Sequence, residues 1–446
     1  MPPRRLLWAL AAALTPLLLL VVPARAQESQ ALRVTVSAAE PDFPDGITFT
    51  LEAESAGPEI VEAQLLYGPT RDETLTVVEP EFTPGTRVMA SHRLDTRVYY
   101  YPPGTEISFR WVLRDAAGSE LTTEPQEFVY HDERFPWREL QDRNVIVYWY
   151  RGDEAFGEEL LSSATRTLDR LQTQIGAQLT QPVRIYVYAN NADMRSALQS
   201  NAVEWIGGAA WPGYGVIVGP IAPGDRAELA RLIPHELSHQ VLHQATENPY
   251  GGVPVWFDEG LAVHNQEQRD IGWDEMVAEA AREGRLIPLE ALEASFPADP
   301  EQALLSYAQS RDVVEHIIAV YGEAKLAELT AAFASATPVA EALPAVLGLT
   351  VDELDAEWRA TLPPQERQPP DLSGPPVAPP ERFEEQPAGG GPFAARPGEP
   401  PWAGLLNGTR PLATATALAL CCVVGIVVAG AALLVGLRLA GVDKRP

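Results

Sequence analysis

The stretch "PHELSHQVLHQ", Pro234 to Gln244, constrains the fold more than any other part of the chain. It sets His235, Glu236 and His239 in the spacing H-E-x-x-H. On an α-helix, residues four apart lie one above the other, about 6 Å along the axis, so the two imidazoles face one point and Glu236 projects beside them. Five residues recur by chance, and their meaning depends on what the rest of the chain brings to that point. Pro234 allows two readings of the helix. Either it begins there, with proline at its first position, or it begins near Asp225 and is kinked at the proline. "DRAE" (Asp225 to Glu228) has the form of a capping box and favours the longer helix.

Two histidines on one helix face suit zinc. A catalytic zinc site needs a third protein ligand and keeps an open position for water. His243 lies one further turn along the same face, too far up to close a tetrahedron. Downstream comes "VWFDEGLAVHNQ", in which a carboxylate opening a second, antiparallel helix reaches the ion from the side. Glu259 is the favoured third ligand, with Asp258 as the alternative. His264 falls about 140° around that helix from Glu259 and reads as a cap or a solvent-facing residue. His92, His131 and His316 have no partner pattern and read as structural.

The two ends of the chain bear on location. Residues 1–26 run from Arg4 and Arg5 through an apolar stretch to Ala24-Arg25-Ala26, the pattern of a cleaved signal peptide. Leu412 to Leu437 carries no charge and, as a helix, extends about 39 Å against a hydrocarbon core of about 30 Å. A transmembrane helix is expected over 411–438. Arg438, Lys444 and Arg445 follow it, which predicts a cytoplasmic tail at 439–446 and an extracellular ectodomain on a single-pass cell-membrane protein. Cys421 and Cys422, the two cysteines of the chain, fall inside that span, so the ectodomain has no disulfide and depends on core burial or metal. A net charge of −28 argues against a nucleic-acid partner, whose phosphates call for a basic surface.

Between these ends the pattern changes twice. Over 27–132, short alternating runs such as "ITFTLEAES" and "EISFRWVLRD", broken by "PDFPDG" and "YPPGT", predict an all-β sandwich of immunoglobulin or fibronectin type, with Trp111 and Tyr100 in its core. Residues 140–362 read as α+β: strands "NVIVYWY", "PVRIYVYAN" and "YGVIVGP", a helix between the first two, then the motif helix and a helical lobe. The Gly-flanked strand Tyr214–Pro220 is a candidate edge for an extended substrate, and Trp205 and Trp211 are candidates to line a cleft. Residues 363–410, rich in Pro, Gly and Glu, read as a disordered stalk.

H-E-x-x-H followed about twenty residues on by W-x-x-E-G-x-A, here Trp256, Glu259, Gly260 and Ala262, resembles the gluzincin metallopeptidases, the thermolysin and zinc-aminopeptidase side of the zincins. Among them it is most similar to the bacterial peptidase MA-like family, over residues 144–362. The metzincin pattern does not fit, since its glycine and histidine positions hold Leu242 and Ala245. The resemblance implies a gluzincin fold with a helical C-terminal lobe, Zn2+ on His235, His239 and Glu259, and Glu236 as general base. It also implies an oxyanion donor from the helical lobe, for which Tyr307 is the candidate. The spacing from His239 to Glu259 is one residue longer than in the aminopeptidases, which would land on Asp258; the "EG" pair keeps Glu259. The expectation is a membrane-anchored zinc metallopeptidase acting on peptide or protein substrates. Its rival is an inactive, peptidase-like surface protein that binds or adheres through the sandwich.

Overall fold

A computed structural model describes residues 32–72, 74–198, 207–269 and 271–365. The signal peptide, the membrane span, the tail and nearly all of the stalk lie outside the described residues, as does Trp205. Among the described residues no helix is long and apolar enough to cross a membrane. The chain is a mixed α/β protein with a β-sheet N-terminal region followed by a largely helical part.

The N-terminal region is built from two antiparallel sheets. One consists of β1 (Leu32–Asp42), β2 (Gly46–Ser55) and β5 (Arg87–Asp95), in that order. The other runs β4 (Thr76–Val78), β3 (Ile60–Pro69), β6 (Thr105–Asp115), β7 (Glu120–Thr122), with β8 (Gln126–Tyr130) also pairing β6. Strict alternation drives this. In β6 the side chains of Ile107, Phe109, Trp111 and Leu113 are buried and their neighbours are not. Phe49 of the first sheet meets Tyr67 and Phe109 of the second at ring centroids 5.2 Å apart, so the two inner faces share one core. Trp111 is fully buried there, whereas Tyr100 leaves the core, donates to the Ala197 carbonyl at 3.2 Å and packs on Trp211.

The second part is organised around a five-stranded sheet in the order β12 (Ala209–Trp211), β13 (Val216–Pro220), β11 (Val183–Tyr188), β10 (Val145–Trp149), β9 (Arg138–Asp142). β10, β11 and β13 are parallel, and both outer strands run antiparallel to their neighbours. β11, "VRIYVY", is buried along its whole length, the signature of a strand covered on both faces. On one face lie α1 (Glu154–Ile175) and α3 (Arg226–Thr246), whose apolar residues join Val145, Val147, Val183, Ile185 and Val187 in one core. The other face, with Tyr148, Tyr186, Tyr188 and Val218, belongs to the core of the N-terminal region. A short helix, α2 (Asn191–Arg195), follows β11.

Strand β13 is therefore not an edge. It pairs with β11 on one side and β12 on the other, and β12 is outermost among the described residues. The expectation of a substrate-binding edge moves to Ala209–Trp211, three residues whose length and composition carry no strand periodicity.

α3 is the longer of the two helices the sequence allowed. Asp225 caps it, accepting from Glu228 N–H at 3.1 Å, and Pro234 lies inside it. The capping is one-sided: the Glu228 carboxylate turns away to accept two hydrogen bonds from buried Arg231, at 2.6 and 2.9 Å. After α3 come α4 (Val255–Asn265), α5 (Trp273–Glu283), α6 (Pro300–Tyr321), α7 (Ala324–Ala334), α8 (Val339–Val346) and α9 (Val351–Arg359). α6 packs along α4, and Trp358 of α9, fully buried, donates to Asp312 of α6 at 2.8 Å.

Candidate metal centre

α3 and α4 cross where their polar faces meet, and that crossing builds the site. His235 and His239 come from α3 and Glu259 from α4, and all three are at most 7 % exposed. Their ligand atoms form a triangle: Nε2 to Nε2 3.4 Å, Glu259 Oε2 to His239 Nε2 3.5 Å, and Oε2 to His235 Nε2 3.7 Å. A tetrahedral ion with bonds of about 2.0–2.1 Å sets its ligands about 3.3–3.4 Å apart. The triangle thus has nearly the size a zinc-like ion requires. Glu259 Oε2 is buried and accepts no hydrogen bond, an arrangement that is costly unless a cation completes it. Among the described residues these three form the one group of histidine, cysteine and carboxylate side chains close enough to hold a metal ion.

Electrostatics point the same way. Burial holds His235 neutral well below the usual imidazole range, with His239 and Arg231 adding to the effect. The pocket therefore keeps the lone pair that a cation needs. Burial also raises the Glu259 carboxyl, against the opposing pull of His239, so the bare carboxylate is disfavoured until positive charge faces it.

The outer nitrogens of the two imidazoles have unlike partners. His239 Nδ1 lies 2.6 Å from Asp258 Oδ1, and His235 Nδ1 lies 3.0 Å from the side-chain amide of Gln266. Asp258, the alternative third ligand, is thus the carboxylate that orients His239, while its neighbour Glu259 faces the triangle. Adjacent residues on a helix point about 100° apart, and that division follows from it. His243 stands outside the cluster, one turn further along α3. His264 also stands outside it and faces Glu315 at 3.3 Å and Gln174 at 3.3 Å.

Glu236 is 1 % exposed and projects toward the start of the outermost strand. A methyl group on Gly208 would stand 2.9 Å from Glu236 Oε1 and 3.1 Å from Leu232, so a larger residue there would press on that carboxylate and shift it. Gly260 plays a comparable part on α4, where the Ser310 carbonyl of α6 occupies the space a Cβ would need. Tyr307, one turn before Ser310, is 1 % exposed with its ring edge-on to Phe296 at 5.0 Å. Trp211 sits at the far end of β12 against Tyr100. Sequence reasoning missed Gly208, Gln266 and the role of Asp258. Of these, Asp258 alone had a signal, standing directly before the ligand candidate.

Residues 163–363 match the profile of the Peptidase MA superfamily, a stretch that takes in both α3 and α4. The match supports a peptidase of gluzincin type, and its superfamily agrees with a metal held by His235, His239 and Glu259. No curated protein matches the chain. Solved structures similar to it include wild-type OgpA from Akkermansia muciniphila, 13 % identical over 22 % of this chain and 27 % of that one, at a TM-score of 0.19. A putative polysaccharide deacetylase from Bacillus anthracis is 13 % identical over 38 % and 56 %, also at 0.19. A polysaccharide deacetylase from Bacillus cereus is 11 % identical over 44 % and 65 %, again at 0.19. The chain spans less than two thirds of each of these, and scores this low carry no argument about fold or function.

Proposed function

We propose that this protein is a membrane-anchored extracellular zinc metallopeptidase that hydrolyses peptide bonds in peptide or protein substrates. The observation that carries the reading is the buried triangle of two imidazole Nε2 atoms and one carboxylate oxygen, with Glu236 beside it on the same helix. His235, His239 and Glu259 would hold the ion. A zinc ion there would supply Lewis acidity and bring the pKa of a water to about 7. Glu236 takes the water's proton and returns it to the leaving amine, a role its burial beside the histidines suits. An extended substrate pairs along the outer edge of β12, which starts beside Glu236 and thereby brings the scissile bond to it.

Tyr307 is the candidate donor to the oxyanion, and Tyr307→Phe decides between that role and packing on Phe296: loss of kcat with unchanged stability supports the donor. The signal-peptide pattern of residues 1–26, the uncharged stretch Leu412 to Leu437 and the positive charges after it support an active site outside the cell with the C-terminus in the cytoplasm.

The test pairs metal analysis with hydrolysis of fluorophore-labelled denatured proteins. About one zinc per chain is expected, lost in Glu259→Ala and kept in Asp258→Ala, and Glu236→Gln should keep the zinc and lose hydrolysis. Absence of zinc after reconstitution, or full activity in Glu236→Gln, would overturn the reading.

A further inference from the structure

Pro234 has no N–H, so the carbonyl of Ala230 loses the partner that a regular helix would give it. In the structure that carbonyl accepts from the backbone N–H of Glu267, at 2.8 Å. The residue before it, Gln266, is the one whose amide lies 3.0 Å from His235 Nδ1. α1 holds the same segment from the other side. Arg170 donates to the Asn265 carbonyl at 2.5 Å and to the Glu267 carboxylate at 3.0 Å, and Arg166 donates to that carboxylate at 3.1 and 3.2 Å. Three residues at the end of α4 are thereby fixed between two helices.

We infer that Gln266 is a positioning residue for His235, held in place because Glu267 docks on the carbonyl that Pro234 leaves open. The inference rests on the metal-site reading above. An imidazole that binds a cation through Nε2 carries its proton on Nδ1, so Gln266 must present its carbonyl oxygen there; a half turn of the amide exchanges its two ends. Asp258 does the same for His239 with a full negative charge. With Glu259 as ligand and Glu236 buried beside the triangle, the site then holds three carboxylates against one dication. A neutral partner on His235 orients the imidazole without adding a fourth. The proline inside the metal-binding helix thus has a use: it exchanges one bond within the helix for one that ties the far end of α4 to it. α4 is then fixed near its middle, at Glu259, and just past its end, at Gln266.

The experiment measures zinc affinity by competition with a chromophoric chelator on the full-length protein in detergent, together with the visible spectrum of the cobalt-substituted form. Gln266→Ala is expected to weaken zinc binding about 10- to 100-fold and to change the cobalt spectrum, with the unfolding midpoint of the zinc-free protein unchanged. Gln266→Glu keeps an acceptor for Nδ1–H and is expected to hold zinc far better than Gln266→Ala. Pro234→Ala restores the N–H that competes for the Ala230 carbonyl; it should raise the unfolding midpoint or leave it unchanged while weakening zinc, a pair of effects that a purely structural role does not produce. Wild-type affinity and spectrum in Gln266→Ala would overturn the positioning role, and wild-type affinity in Pro234→Ala would overturn the docking that supports it. Failure of the unmutated protein to bind zinc would instead remove the metal site itself.

Discussion

Substituting alanine for Gly260 tests whether the α4–α6 contact positions the carboxylate beside it. A Cβ at this position would stand 2.4 Å from the Ser310 carbonyl oxygen, 2.7 Å from its carbon and 2.8 Å from Val314 Cγ2. Ordinary contact begins at 3.4 Å, so α4 must retreat from α6 by about 1 Å, and the two closest atoms are backbone with no rotamer to yield. Overpacking of this kind costs about 1–3 kcal/mol. Glu259 precedes Gly260 and moves with it. Metal sites tolerate about 0.2 Å in ligand position, so a shift several times larger should weaken zinc by one to two orders of magnitude. Urea unfolding of the zinc-free protein reads the first effect and chelator competition reads the second. Val314→Ala in the same chain should rescue neither, because it removes only the third contact. A Gly260→Ala protein within about 0.5 kcal/mol of wild type and with wild-type zinc affinity would refute the argument.

Three further outcomes follow from the geometry. Asp258→Asn replaces the anion on His239 Nδ1 by a neutral acceptor and Asp258→Ala removes it; zinc affinity should fall in that order, by up to about 100-fold, with stoichiometry still at one, as equilibrium dialysis can show. Asp132 is fully buried and accepts from Tyr188 at 2.7 Å and from both ends of the Arg134 guanidinium at 2.7 Å, so Asp132→Ala should cost about 2–4 kcal/mol in urea unfolding, whereas a loss under 1 kcal/mol would mean that water replaces it. For Glu315, burial opposes the charge, but hydrogen bonds from His264 and Arg269 and the nearby Arg311 outweigh it and bring the carboxyl down to about 2. Its folded pKa lies below the unfolded value, so its contribution is present in full above about pH 4.5 and is lost as pH falls toward 2; Glu315→Gln should flatten that part of a stability–pH profile measured without metal.

Local patterns were legible in the sequence, and contacts made at a distance were not. The spacing of His235 and His239 fixes a shared helix face whatever surrounds it, and the acidic pair opening "DEGLA" marks where a second helix meets them. The cap at Asp225 was enough to run α3 through Pro234. Which of Asp258 and Glu259 faces the triangle depends on how α4 is rotated against α3, and no local signal carries that. The outermost strand is hidden for a related reason: "AAW" is too short to show a strand pattern, whereas "VIVGP" is a legible apolar run beside glycine and offers itself as the edge. Gln266 and Glu267 look like ordinary solvated residues at the end of a helix. Only the proline thirty-odd residues earlier hints that a carbonyl there needs an outside donor.

The relation between the N-terminal sheets and the five-stranded sheet follows from the same kind of physics. A parallel strand such as β11 buries both faces, and in most α/β arrangements helices cover each of them. Here α1 and α3 cover one face, while the other presents Tyr148, Tyr186 and Tyr188, whose rings need an apolar cover and whose hydroxyls need partners. The N-terminal region and the linker after it supply both. Tyr186 meets His131 Nδ1 at 2.5 Å, Tyr188 donates to Asp132, and Phe135 and Trp137 pack edge-on against Tyr188. Arg184, nearly buried, faces Glu106 of β6 at 3.5 Å, and Arg71 donates to the Pro182 carbonyl. This sandwich serves as the cover of the five-stranded sheet, so the rival reading, in which it acts alone as a binding module, requires it to work with its aromatic partner face already occupied. Removing residues 27–132 should therefore yield a chain that exposes the tyrosine face and aggregates, with no soluble, faster peptidase released. Recovery of a monomeric, zinc-binding 133–365 fragment would show that the two layers are separable and would refute this dependence.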